Sequence, residues 1–297
     1  MTSDSEVLPL TVVVGPTASG KTALAVRLAE ERGGEIVSAD SVQIYRRFDI
    51  GSGKPSAEER ARVVHHLVDL LDPNEPIDAA GWATLAARAI DDIRARGREP
   101  IVCGGTFLWV RALLFGLAGA PPADAVIRAR HRARAESEGR PALHAELAQV
   151  DPESAARLAP NDLVRVSRAL EVHELTGVPL SRWQAEHGFR TPRYVARLVG
   201  VRRDRDELDR RIEARVQAML AAGWIDEVRA LNAAGYGSSR AMGAVGYKQV
   251  SLALANGAPI DLSALALSIV RATRIFARRQ RTWLRDEPVE WLEPHDA

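Results

Sequence analysis

Short, largely apolar runs bounded by turn residues punctuate the chain at Leu10–Val14, Glu35–Ser38, Ile101–Cys103, Val195–Val201 and Val289–Leu292. Their length and β-branched content predict strands. Between them lie stretches with helical spacing, over Lys21–Arg32, Ala79–Arg96 and Phe107–Leu117. Strands alternating with helices predict an α/β fold, a parallel sheet covered by helices on both faces. The pattern changes after Gly119-Ala120-Pro121-Pro122. From Asp124 to Glu186 the spacing is helical and predicts no strand. Asp151-Pro152-Glu153 and Asn161-Asp162 are helix starts, and Thr176-Gly177-Val178-Pro179 is a helix stop. Strand spacing resumes at Val195, so the helical block is an inserted all-helical domain. The expected division is 1–119 for the first part of the core, 120–192 for the insertion, and 193–297 for the rest of the core with a basic C-terminal helix.

A chain of 297 residues suffices for about two domains of roughly 150 residues each. Its 40 basic and 39 acidic side chains nearly cancel, so a polyanionic partner has to be met by a local patch. The lone Cys103 excludes a disulfide framework and a cysteine-built zinc site, and it suits a reducing cytosol. No apolar stretch approaches the ~18–20 residues of a membrane span, and the acidic start Met1-Thr2-Ser3-Asp4-Ser5-Glu6 lacks the design of a signal peptide. A cytoplasmic protein with no membrane partner is expected. Among the cations only Lys21, Lys54 and Lys248 are lysines, which makes a lysine inside a motif informative.

One such motif is Gly15-Pro16-Thr17-Ala18-Ser19-Gly20-Lys21-Thr22, which fits G-x-x-x-x-G-K-[ST]. It follows a predicted strand and opens a predicted helix, the context a phosphate-binding P-loop requires. Glycines let consecutive backbone N–H groups turn inward on an anion, and the helix N-terminus adds positive charge. Lys21 is placed to reach the outer phosphates, and the Thr22 hydroxyl to ligate Mg2+. The core is therefore expected to be P-loop NTPase-like.

In an open parallel sheet, ligands bind beyond the carboxyl ends of the strands. The second strand ends in Ser38-Ala39-Asp40-Ser41, and the third in Cys103-Gly104-Gly105-Thr106. A carboxylate and a hydroxyl thus belong beside the phosphate loop. Asp40 suits a magnesium ligand, as a Walker B acid does, a base acting on an acceptor, or a turn cap. Thr106 suits a helix cap equally well.

The phosphate motif is followed by Asp40-Ser41-Val42-Gln43-Ile44-Tyr45, Asp49-Ile50-Gly51-Ser52-Gly53-Lys54-Pro55 and His65-His66-Leu67-Val68-Asp69. Further on stand Gly104-Gly105-Thr106, Ser167-Arg168-Ala169-Leu170-Glu171-Val172, Val245-Gly246-Tyr247-Lys248-Gln249 and Arg279-Gln280-Arg281-Thr282-Trp283-Leu284-Arg285. This ordered set resembles the tRNA dimethylallyltransferase family. The resemblance implies transfer of a dimethylallyl group from its diphosphate to N6 of adenosine 37 in the tRNA anticodon stem-loop. It implies Asp40 as the base, Thr106 orienting Asp40 or the diphosphate, Arg215 on the diphosphate, and Gly15–Thr22 with Mg2+ as its cradle. An aspartate is a weak base at neutral pH, so proton removal is expected to accompany C–N bond formation. It further implies tRNA contacts at Asp40, Ser41, Val42 and Gln43, at Val164, Arg165 and Arg168, at Tyr247 and Lys248, and at Arg278, Arg279, Gln280, Arg281, Trp283 and Arg285. Read from charge alone, Arg211 and Arg215 would be a solvated i,i+4 pair.

Near the C-terminus, Leu262, Leu265, Ile269, Ala272 and Phe276 step like a buried helix stripe. Arg271, Arg274, Arg278, Arg281 and Arg285 form a rail beside it, a natural counterpart for a polyanion. With Arg128, Arg130, His131, Arg132 and Arg134 the rail is expected to grip the anticodon stem from two sides. His65 and His66, on opposite faces of a strand, are expected to be structural. Departures from the family pattern fall at Cys103, Phe107 and Trp109, expected to narrow the prenyl pocket, and at Gly243, where an arginine is common. The chain is expected to act as a monomer. A P-loop adenylate prenyltransferase or a small-molecule kinase would share the loop but have no use for the rail or the insertion. A nucleotide-gated RNA binder would need a switch built around a triphosphate.

Overall fold

The computed structural model describes residues 9–293. Its elements in chain order are β1 (Leu10–Val14), α1 (Lys21–Arg32), β2 (Glu35–Ser38), α2 (Ala57–Arg62), β3 (His65–His66), α3 (Ala79–Ala95), β4 (Pro100–Gly104) and α4 (Phe107–Phe115). Five helices follow: α5 (Ala125–Ser137), α6 (Arg140–Val150), α7 (Pro152–Arg157), α8 (Leu163–Thr176) and α9 (Leu180–His187). The chain continues with β5 (Ala196–Val201), α10 (Arg205–Ala221), α11 (Trp224–Ala233), α12 (Tyr247–Ala255), α13 (Leu262–Leu284) and β6 (Val289–Leu292).

All six strands are parallel and lie in the order β3-β2-β4-β1-β5-β6. Every residue of β1, β2 and β4 is buried, as a sheet covered on both faces demands. One face packs on Leu24, Ala25, Leu28 and Ala29 of α1. The register pairs Val14 with Gly104 and with Gly200, and Ser38 with Cys103. Four strands therefore end level, and the loops leaving them emerge together. The order reverses at β1, with β4 on one side and β5 on the other, and this is where an open parallel sheet binds its ligand.

Two elements carry little sequence signal. β3 has only two residues: His66 Nε2 meets Glu35 Oε2 at 2.6 Å, and His65 Nδ1 meets Val63 O at 2.8 Å. α2 is opened by a capping box, Ser56 with Glu59. The helix expected to reach Leu117 stops at Phe115, because Gly116 turns left-handed at φ 78°. No cluster of three His, Cys, Asp or Glu suited to a metal occurs among the described residues. Nor is any described helix long and apolar enough to cross a membrane.

The buried face of α13 differs from the expected stripe. Leu265 and Ile269 are buried, but Leu262 and Phe276 are exposed; Thr273, Ala277, Gln280 and Leu284 complete the seam instead. The Thr273 hydroxyl is satisfied by Ile269 O at 2.8 Å, so it is buried at little cost. Arg271, Arg274, Arg278, Arg281 and Arg285 each follow a seam residue by one position and so lie about 100° away.

The chain up to Leu114 and from Arg193 onward forms one compact unit, and Phe115–Pro192 another. The second is all helical, with a core of Leu143, Leu147, Ala155, Val166, Ala169 and Leu170. Buried Asp151 caps α7 through Ser154 N at 3.0 Å and holds Ser181 N at 3.0 Å. Burial alone would raise its pKa, but these hydrogen bonds and one from the Ser154 hydroxyl outweigh it and hold the carboxyl below its ordinary range.

Candidate active site

The loop between β1 and α1 turns tightly, with Ser19 N donating to Pro16 O at 3.2 Å. Gly20, at φ 100°, and Ala18, at φ 67°, take left-handed conformations; for alanine this costs about 1 kcal/mol. Two arginines, one just after β5 and one on α10, hold the loop there. Arg211 Nε donates to Ala18 O at 2.8 Å, and Arg203 Nε to Ser19 O at 3.1 Å. Arg211 is exposed, yet its guanidinium is engaged by the loop backbone. Arg203 follows β5 directly, and the strand-end rule that singled out Asp40 and Thr106 applies to it equally. The Ser19 hydroxyl is fully buried and has no partner among the described residues, as a group awaiting a polar ligand would be. The Thr22 hydroxyl, at the first turn of α1, also has no hydrogen-bond partner among them. Enclosure by protein pushes the Lys21 ammonium below the ordinary lysine range; Cys103 and Asp40 oppose the shift, and Arg215 adds to it. Cys103 itself is buried and pushed up to about 12, so its thiol stays protonated.

Asp40 leaves β2 and turns the chain: its Oδ1 accepts from Val42 N at 2.8 Å and Gln43 N at 3.2 Å. Oδ2 has no hydrogen-bond partner among the described residues. Its charge favours the protonated forms of both Lys21 and Arg215, placing all three in one electrostatic field. Thr106 reaches the residue after Asp40: its Oγ1 accepts from Ser41 N at 3.1 Å, and its own N–H donates to Ala39 O at 3.1 Å. Thr106 therefore fixes the Asp40 loop through backbone. Arg215, on α10, is half-buried; a Cβ on Gly53 would lie 1.9 Å from its Nη2, so only glycine fits there. Burial lowers the Arg215 pKa, and Asp40 raises it in part.

Gln43 spans from strand to loop, accepting from the Ser38 hydroxyl at 3.1 Å and donating to Gly53 O at 2.9 Å. The loop it grips is suspended from Glu227, whose carboxylate accepts from Asp49 N, Ile50 N and Gly51 N at 3.0, 2.6 and 3.3 Å. Glu227 carries no local sequence signal. Below it, the Trp224 indole fills the space that a Cβ on Gly51 or Gly246 would need.

The family described as IPP transferase matches residues 43–287, and the one described as Isopentenyl transferase matches residues 8–68. The chain belongs to the IPP transferase family. A tRNA dimethylallyltransferase of Sorangium cellulosum is 67% identical over 95% of this chain and 90% of its own length. The crystal structure of the full-length tRNA isopentenylpyrophosphate transferase of Bacillus halodurans superposes with a TM-score of 0.70 at 37% identity, covering 96% of this chain and 89% of that one. A eukaryotic dimethylallyltransferase captured acting on tRNA superposes with a TM-score of 0.78 at 25% identity, over 96% of this chain and 73% of that one.

Within this IPP transferase, the residues expected at tRNA divide by exposure. Arg278, Arg279, Arg281 and Arg285 are exposed, and no ion pair engages them among the described residues. Trp283 is exposed too, its ring tilted against Phe107 at 6.2 Å. Arg274 differs from its neighbours, being held by Asp209 at 3.3 Å and Glu213 at 2.5 Å. Val164 and Arg165 stand at the exposed start of α8, Arg165 paired with Asp162, whereas Arg168 is tied to Glu171 and to Pro121 O. In the basic run of α5, Arg128 binds Glu171, Arg130 binds Glu174, and Arg134 binds Glu146 and Glu138, so acids of the same unit answer most of its charge. Lys248 is exposed, but Tyr247 is fully buried and Gln280 nearly so, each with its polar atoms engaged inside the protein.

The family departures sit behind the site. Trp109 is buried and stacks on Trp82 at 5.2 Å, while Trp82 Nε1 donates to Ser38 O at 3.1 Å. Phe107 and Cys103 are also buried. Gly243 faces open space, with nothing within 4 Å of a Cβ built there.

Proposed function

We propose that this chain transfers the dimethylallyl group of dimethylallyl diphosphate to N6 of adenosine 37 in the anticodon stem-loop of tRNA, with the diphosphate in the Gly15–Thr22 loop and Asp40 as base. The chain is a tRNA-modifying prenyltransferase, and the assignment of residues within that activity rests on one observation. Asp40 has one oxygen fixed by backbone N–H groups and the other unpartnered, within the field of Lys21 and Arg215.

The chemistry demands this arrangement. N6 of adenine is a poor nucleophile because its lone pair is delocalised into the ring. The allylic C1–O bond cleaves readily once the charge left on the diphosphate is stabilised. Backbone N–H groups of the loop, the Lys21 ammonium and the Arg215 guanidinium supply that stabilisation from fixed positions. The C1–O electron pair leaves with the diphosphate, the N6 lone pair forms the new C–N bond, and Asp40 Oδ2 takes the N6 proton. Arg203 and Arg211 hold the loop, and Thr106 holds the base, so neither has to reorganise as charge moves.

Mg2+ fits this site. The unpartnered hydroxyls of Ser19 and Thr22 and a diphosphate would offer it oxygens, and Mg2+ is commonly bound by few protein ligands plus substrate phosphates. When bound it would neutralise charge on the leaving group. The exposed arginines of α13 and Lys248 suit the phosphate backbone, which positions an RNA without reading its sequence. The target base has to leave its stack to reach Asp40.

Purified protein with isotope-labelled dimethylallyl diphosphate, offered tRNA and separately AMP, tests the reading. Label in N6-isopentenyladenosine of the tRNA alone is expected. Label in AMP would favour a free-nucleotide prenyltransferase, and no label in either would refute the assignment.

A further inference from the structure

Gln280 occupies a position that an RNA contact cannot. It lies on the buried seam of α13, only 6% exposed, although Arg279 and Arg281 on either side of it are exposed. Its Oε1 accepts from Thr17 N at 2.8 Å and from the Thr17 hydroxyl at 3.3 Å, and its Nε2 donates to Gly105 O at 3.0 Å. The orientation of the carboxamide is fixed by its partners, because a backbone N–H can only donate and a carbonyl can only accept. A Cβ on Gly105 would lie 2.3 Å from Nε2, so the glycine leaves room for this amide. To touch a base, the side chain would have to abandon both partners and leave their polar groups unsatisfied in the protein.

One side chain thereby joins three segments far apart in sequence: the diphosphate loop at Thr17, the end of β4 at Gly105, and the helix that carries the arginines. The next residue after Gly105 is Thr106, which fixes Ser41 and with it the Asp40 loop. Gln280 therefore touches both halves of the reaction centre, chiefly through backbone atoms. It also engages the Thr17 N–H, so that donor is committed to Gln280 and the loop is tied to α13.

We propose that Gln280 is a positioning residue of the donor site, bracing the diphosphate loop against β4 from α13, and that its contribution appears in donor affinity and not in RNA affinity. This rests on the reading of the Gly15–Thr22 loop as the diphosphate cradle. Gln280→Met keeps the length of the side chain and removes all three hydrogen bonds. Gln280→Glu keeps the acceptor facing Thr17 but sets an oxygen against the Gly105 carbonyl. Gly105→Ala displaces the amide from the opposite side.

The measurements are the dissociation constant for pyrophosphate with Mg2+, the KM for dimethylallyl diphosphate, the dissociation constant for tRNA and the melting temperature, with Lys21→Ala as a control. Gln280→Met and Gln280→Glu are each expected to weaken pyrophosphate binding and raise the donor KM by at least about five- to tenfold, the scale of one net hydrogen bond, with tRNA affinity within about twofold of wild type. Gly105→Ala is expected to do the same, and it carries the test if Gln280→Met does not fold. Weakened tRNA binding with an unchanged donor KM would make Gln280 an RNA contact and overturn the inference. Normal donor affinity in all three variants, with Lys21→Ala impaired, would also overturn it while leaving the cradle intact. Normal pyrophosphate affinity in Lys21→Ala would instead refute the cradle, and this inference with it.

Discussion

The Tyr247 hydroxyl donates to Glu227 Oε1 at 2.6 Å and accepts the N–H of Ser52 at 3.1 Å. With the three backbone N–H groups that Glu227 accepts, this pair suspends residues 49–52 from α11 and α12. Burial, and then the Glu227 charge, pushes the phenol well above its ordinary range, so it remains a donor at any working pH. Tyr247 thus reaches the site from behind, through the loop that Gln43 and Arg215 abut.

Tyr247→Phe is expected to destabilise the fold by about 1–2 kcal/mol, because it leaves the Ser52 N–H without an acceptor and leaves Glu227 Oε1 with only the Gly51 N–H at 3.3 Å. Glu227→Ala should cost more, on the order of 2–3 kcal/mol, since it orphans several donors together. Urea denaturation measures both. Unchanged stability in Tyr247→Phe, with weakened tRNA binding, would place the hydroxyl on the RNA instead.

Asp40→Asn keeps an oxygen for the Val42 and Gln43 N–H groups while removing the basic lone pair. Turnover is expected to fall on the order of 10²–10⁴-fold with tRNA affinity nearly unchanged. Single-turnover kinetics and a filter-binding titration separate the two. Normal turnover would remove Asp40 as the base.

With Lys21 holding the diphosphate as proposed, the site has a pH limit. The ammonium would have to be protonated to hold the anion, and enclosure places its folded value below the ordinary 10.5. Donor affinity is therefore fully present below that lowered value and is lost as pH rises through it, before an ordinary lysine would titrate. In Lys21→Arg the alkaline loss should move to higher pH. Pyrophosphate titrations between neutral pH and pH ~10 measure it, and an identical limb in both proteins would assign the titration elsewhere.

Replacing Arg278, Arg281 and Arg285 together should reduce the slope of log affinity for tRNA against log salt by about two to three, near one unit for each phosphate no longer neutralised. Arg274→Ala should change it much less, because Asp209 and Glu213 already answer that charge. Fluorescence anisotropy across a salt series reads both. Equal effects would mean that Arg274 leaves its acids for the RNA.

The phosphate loop, the parallel sheet and the helical block could all be read from the sequence, because each rests on local spacing: a glycine pattern, apolar runs of strand length, capping residues. The placement of Asp40 and Thr106 beside that loop could be read too, since strand ends of a parallel sheet converge. The phase of α13 could not. Phe276 extends the apolar stripe on paper, but the seam runs through Thr273, Ala277 and Gln280, where small size and satisfied hydrogen bonds replace hydrophobicity. Tyr247 precedes an exposed lysine and Gln280 lies between two exposed arginines in sequence, yet both face inward in the structure. Their direction depends on partners more than 150 residues away, Ser52 for the one and Thr17 for the other, which spacing cannot reveal. Arg203, Arg211 and Glu227 act through backbone groups on distant loops, and for Glu227 no local pattern exists to find.

The most direct test is a crystal structure of the protein with Mg2+ and an unreactive thiolo analogue of dimethylallyl diphosphate. The diphosphate is expected within the Gly15–Thr22 loop, in hydrogen-bonding contact with its N–H groups and with Lys21, and with C1 turned toward Asp40. A loop left empty, or an analogue bound at any site from which C1 cannot approach Asp40, would contradict the account.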